Sequence, residues 1–165
     1  MPVDRELVDG DVLDFGGGAE ILAIPDHTDG GIAIHLPRHG VKFGVNVRRQ
    51  PTVWTTLEYG CHVRDVHRIF NHRVRLMLTE DEPQFPNWEQ DETAIAADYA
   101  CQDPATVATE LFDAASIVAD TYTNVPAGAW TRRGLRSNGS EFTIATISIY
   151  HLHDIVHHAH DVRDG

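Results

Sequence analysis

The chain has 165 residues, of which 42% are hydrophobic and 23% charged, with 25 acidic side chains against 13 basic ones and a formal charge of −12. These proportions fit one globular domain with room for a core and exclude a nucleic-acid surface, which needs clustered Lys and Arg. No apolar run approaches the roughly 20 residues that cross a bilayer, so no membrane partner is expected.

The N-terminus, Met1 to Glu6, lacks the basic and apolar regions of a secretory signal, and a cytoplasmic protein is the expectation. Residues 1–48 hold eight of the thirteen glycines, including Gly16-Gly17-Gly18, which has neither Walker nor Rossmann spacing. The runs Ile32 to Leu36 and Val41 to Val47 read as strands rather than helix. His27, His35 and His39 form a loose cluster in this region, whose spacings of eight and four allow a second site, with scattered histidines as the favoured alternative.

The first helix is predicted from Thr55, where Thr55-Thr56-Leu57-Glu58 has the capping-box pattern, to about Leu78. His62, Val66, Ile69, Arg73 and Met77 form one stripe on it, with Phe70 and Val74 beside them. Cys61 reads as a small core residue, because it and its neighbour His62 point about 100° apart and cannot easily share one ion. Only Cys101 joins it, and two cysteines make no disulfide framework.

The acidic, proline-broken stretch Glu80 to Trp88 stops the helix. Its Phe85 and Trp88 are expected to pin the loop across the helices or to wall a pocket. A short helical piece around Ala94 to Tyr99 follows. Asp103-Pro104 opens the next helix, with Asp as cap and Pro in the first position. Val107, Leu111, Ala115, Val118 and Tyr122 are its apolar stripe, and Asn124 to Gly128 end it.

The last helix is predicted from near Thr143 to about Val162 and carries five of the eleven histidines. His153 and His157, four residues apart, lie one turn apart on one face, within reach of a single metal ion. A transition metal is well served by imidazole, and the candidate for a third ligand is His62. His160, three residues beyond His157, is the alternative ligand, replacing His153 or joining as a fourth. His158 is expected on an outer or flanking surface, and His67, His72 and His151 at the surface or behind the ligands. No G-x-S-x-G elbow occurs, which leaves no support for a serine hydrolase.

The stretch Trp54 to Val66, then Leu78 to Pro83, Phe85 to Trp88, Trp130-Thr131-Arg132, Phe142-Thr143 and His153 to His158 together resemble the DinB-like family of small bacterial metalloproteins. The domain spans 1–165; residues 49–165 carry the resemblance and 1–48 diverge. The departure is sharpest at Ile32 to Val47, where the family's first helix would stand and where divergence or an altered reading frame would give the observed glycine-rich composition.

The resemblance implies an all-α four-helix bundle with an atypical N-terminal segment, and a divalent metal, zinc or nickel, held by His62, His153 and His157. It further implies a thiol S-transferase that uses mycothiol or bacillithiol against an electrophile, related to the mycothiol-dependent maleylpyruvate isomerase metal-binding domain. A metal-dependent hydrolase and a non-catalytic metal-binding or stress-response module are the alternatives. Three imidazoles leave an open position at which a thiol or water is acidified. Trp130 and Arg132 lie in the loop before the last helix, where Arg132 could receive an anionic substrate or a thiol carboxylate, with a plain surface arginine as the favoured alternative. Glu58, one turn before His62, and Asp154 are candidates for supporting the ligands from behind. A first third that covers the bundle incompletely would favour a homodimer.

Overall fold

The computed structural model describes Val12–Leu13, Ala19–Ala23 and Ile32–His35 by their backbone, and residues 53–164. The three N-terminal segments are strands β1, β2 and β3 of an antiparallel sheet in which Ile21 pairs with Ile34. The strand reading of Ile32 to Leu36 thus holds for Ile32–His35, while Gly16 to Gly18, His27, His39 and Val41 to Val47 lie outside the described residues. Strand β3 lies against the third helix.

Helix α1 (Thr56–Thr79) starts where the capping box places it. Thr55 Oγ1 accepts from Glu58 N at 3.1 Å, and a Glu58 carboxylate oxygen accepts from Thr55 N at 2.8 Å. Two N–H groups with no partner inside the helix are thereby satisfied. Helix α3 (Pro104–Thr123) likewise begins at Asp103, whose side chain accepts from Thr106 N. Between them, α2 (Gln90–Ala96) is short, and a 3₁₀ turn at Tyr99–Cys101 leads to α3. Helix α4 (Ile144–Asp164) opens with Thr143 and Thr146 exchanging side-chain to backbone hydrogen bonds of 2.9 and 3.1 Å.

The four-helix arrangement is therefore present, with α1 packed against both α3 and α4. It is accompanied by two small sheets that a purely helical reading omits. In the second, β4 (Gln84–Phe85) pairs in parallel with β5 (Arg133–Arg136), which pairs antiparallel with β6 (Glu141–Thr143). The two extended residues of β4 cannot satisfy their own backbone groups, so the proline-broken loop after α1 borrows partners from the segment before α4. Phe85, buried on β4, pins the loop into the core.

The larger core cluster includes Val66, Phe70, Val74 and Met77 of α1, Val118 and Tyr122 of α3, and Ile144, Ile147 and Ile155 of α4. A smaller one joins Leu57 and Cys61 to Ala94, Tyr99 and Val107. Cys61 is a core residue, as expected, and Cys101 is exposed, both as free thiols. Among the described residues, no helix is long and apolar enough to cross a membrane.

Candidate metal centre

His62 lies two turns into α1 with its side chain 1% exposed. Trp88 stacks on it with ring centroids 5.1 Å apart and planes 6° from parallel, and Trp54 packs at 5.0 Å. Trp88 is held there by the pinned loop and by its own Nε1–H, which donates to Thr93 Oγ1 at 2.7 Å. The pairing of β4 with β5 thus fixes a wall of the site.

Neither ring nitrogen of His62 has a hydrogen-bond partner. An unsatisfied buried polar atom costs on the order of 1–3 kcal/mol, and such atoms are rare in folded proteins. Two on one ring call for a ligand. Around them stand Asp154, with Oδ2 3.9 Å from His62 Nε2 and Oδ1 3.9 Å from His158 Nε2, and the His158 ring, edge-on to His62 at 4.5 Å. One donor atom from each of His62, Asp154 and His158 lies within 4.8 Å of the others. An ion about 2.0–2.2 Å from each donor can bridge atoms up to roughly 4.4 Å apart, so small side-chain rotations close the set.

The electrostatics agree with ligation. Burial, and after it the neighbouring His158, push the His62 pKa down to about 4, which keeps the ring neutral and its lone pair available. Burial raises the Asp154 pKa, opposed by His158, His157 and His153. A cation between these groups would engage the Nε2 of His62 that faces Asp154 and relieve the desolvated carboxylate, leaving the ring's proton on Nδ1.

The expected pair from the last helix is placed differently. His153 and His157 do sit one turn apart, with ring centroids at 6.2 Å, but both are exposed, His157 by 61%. The structure does not gather them with His62. His158, expected on an outer or flanking surface, is buried. The cause is the rotation of α4: Ile144, Ile147 and Ile155 must face α1 and α3, and that stripe continues through His151 to His158. Asp154, one turn before His158, then turns toward His62. Three isoleucines in the sequence carried this signal, and Asp154 was visible only as a supporting residue.

Glu58 closes the capping box, and since neither His62 nitrogen is hydrogen-bonded it does not fix that ring's tautomer. Trp130 is buried in the larger core cluster, and Arg132 donates to the carbonyls of Met77 and Glu80 at the end of α1. That guanidinium thus partners carbonyls at the helix terminus. His160 and His72 are exposed. His67 and His151, expected near the surface or behind the ligands, are core residues bonded to one another.

A family model described as the DinB superfamily matches residues 44–161. Among solved structures, the chain is similar to a protein described as "YfiT from Bacillus subtilis is a probable metal-dependent hydrolase with an unusual four-helix bundle topology". The TM-score is 0.65 at 17% identity, covering 72% of this chain and 69% of that one. No curated protein matches.

Proposed function

We propose that this chain, which belongs to the DinB superfamily, binds one divalent metal ion through His62, Asp154 and His158. The observation that carries the reading is the buried His62 ring, with both nitrogens unpartnered beside a carboxylate and a second imidazole. Two histidines and one carboxylate are a donor set of catalytic zinc sites, and three protein ligands leave a position open. Bound there, zinc or nickel would supply Lewis acidity, lowering the pKa of a water or thiol at that position. The chain's own part is to hold the donors neutral or anionic and to shield them. Trp88 covers one face of His62, and Trp54 packs on the same ring.

The reaction proposed first is transfer of a low-molecular-weight thiol, mycothiol or bacillithiol, to an electrophilic carbon; the resemblance of residues 49–165 supports it. Hydrolysis is the second reading. It is favoured by Asp154, a carboxylate where three imidazoles were expected, and by the description of the structurally similar Bacillus subtilis protein as a probable metal-dependent hydrolase.

Zinc- or nickel-loaded protein incubated with each thiol and a generic electrophile, and separately with an activated ester lacking thiol, distinguishes the two. Thiol-adduct formation that disappears in His62→Ala supports the first reading. Ester cleavage without thiol, equally lost in His62→Ala, supports the second. A fully metal-loaded protein inactive in both assays points instead to a non-catalytic metal-binding module.

A further inference from the structure

His158 has a second partner that the metal centre does not use. Its Nδ1 lies 2.9 Å from Oδ2 of Asp161, three residues on along α4, while its Nε2 points to the Asp154 carboxylate. A carboxylate only accepts hydrogen bonds, so the proton of that contact belongs to His158 Nδ1. Neutral imidazole carries one N–H, and with Nδ1 protonated the lone pair is on Nε2, the nitrogen facing Asp154 and His62.

We infer that Asp161 is a positioning residue, which fixes the tautomer and ring orientation of His158 so that Nε2 is presented to the metal. The inference rests on the proposed metal centre. Asp161 is itself held in place. Tyr59, on α1 one turn before the centre, interacts with it through its hydroxyl, and the Tyr59 ring packs at 5.4 Å from His158. Tyr59, Asp161 and His158 thus link α1 to α4, with Asp161 on the Nδ1 side of the His158 ring.

A competing use of the same atoms is a separate outer site, since His157, His158 and Asp161 also offer donor atoms within 4.8 Å of one another. His157 Nε2 is 3.6 Å from the Asp161 oxygen that His158 already occupies, and His157 is the most exposed member. The shorter and more buried His158 contact favours the positioning role. A ring serving both sites would have to surrender its only proton.

The test is zinc affinity by competition with a chromophoric chelator for the wild type, Asp161→Asn and His157→Ala, with ¹⁵N chemical shifts assigning the tautomer of His158. Asp161→Asn is nearly isosteric and is expected to bind one zinc about 10–100-fold more weakly, the usual cost of losing such a partner. His157→Ala is expected to bind as the wild type does. In the metal-free and zinc-loaded wild type alike, the His158 proton is expected on Nδ1, a signature that a merely structural aspartate would not set. Unchanged affinity in Asp161→Asn, a proton on Nε2, or a second zinc equivalent lost with His157 overturns the assignment. A wild type that binds no zinc instead overturns the metal centre itself.

Discussion

His67 of α1 and His151 of α4 meet in the core with Nδ1 and Nε2 3.0 Å apart, and Tyr122 of α3 reaches the remaining nitrogen of His151 at 3.2 Å. One polar chain therefore ties three helices together, with Phe70 stacked on His151 at 4.5 Å.

That chain makes stability depend on pH. Burial pushes the His67 pKa down to about 4, and burial with the neighbouring His67 takes His151 well below the ordinary imidazole range. The unfolded chain binds protons below its ordinary pKa of about 6.5, whereas the folded chain refuses them down to about 4. Stability is thus fully present above about 6.5 and is lost as pH falls toward 4, by up to roughly 1.4 kcal/mol per pH unit for each such histidine. Urea denaturation of the metal-free protein is expected to give equal midpoints at pH 7.5 and 8 and a clear drop at pH 5. Equal stability at pH 7.5 and 5 contradicts the buried neutral pair.

Gly134 of β5 has no room for a side chain. A Cβ there would lie 2.7 Å from Phe85 Cε1 and 2.8 Å from Met77 Cγ. Gly134→Ala should therefore overpack the contact that holds the loop bearing Trp88, costing about 1–3 kcal/mol in urea unfolding. A cost near zero would mean that Met77 and Phe85 yield freely and that β4 is not firmly anchored.

Thr55 and Glu58 test whether the start of α1 is structural or part of the centre. Thr55→Ala removes a helix cap and is expected to cost about 1 kcal/mol. Glu58→Gln should also lower stability, yet leave zinc affinity within about twofold, since the Glu58 carboxylate bonds Thr55 and no bond to His62 exists. Calorimetry with zinc titration reads both; a large loss of affinity in Glu58→Gln would return that carboxylate to the ligand's support.

Both helix starts with strong caps were legible in the sequence, because Thr55 with Glu58 and Asp103 with Pro104 act locally. The inward face of His62 was legible from the stripe it shares with Val66 and Met77, and so was the loop pinned by Phe85 and walled by Trp88. The burial order of the α4 histidines was not. Moving the chosen positions by one residue rotates a helix by about 100°, and a segment with five histidines offers several plausible ligand pairs. Tertiary burial of Ile144, Ile147 and Ile155 decides the rotation, and it brings in Asp154 and His158. The His67–His151 pair was hidden because polar side chains on a helix read as exposed until a partner from a distant helix satisfies them. Strand β4 was hidden because its pairing with β5 joins segments about 50 residues apart; β5 and β6 instead form a local hairpin across Asn138-Gly139, with Gly139 at a positive φ, a turn signal present in the sequence.

The most direct test of the metal centre is zinc stoichiometry by metal analysis in five single variants. His62→Ala, Asp154→Ala and His158→Ala are each expected to lose most of the bound ion, while His153→Ala and His157→Ala retain one equivalent per chain. Full occupancy in Asp154→Ala and His158→Ala, with loss in His153→Ala and His157→Ala, would contradict the centre described and restore the exposed histidine pair as the ligands.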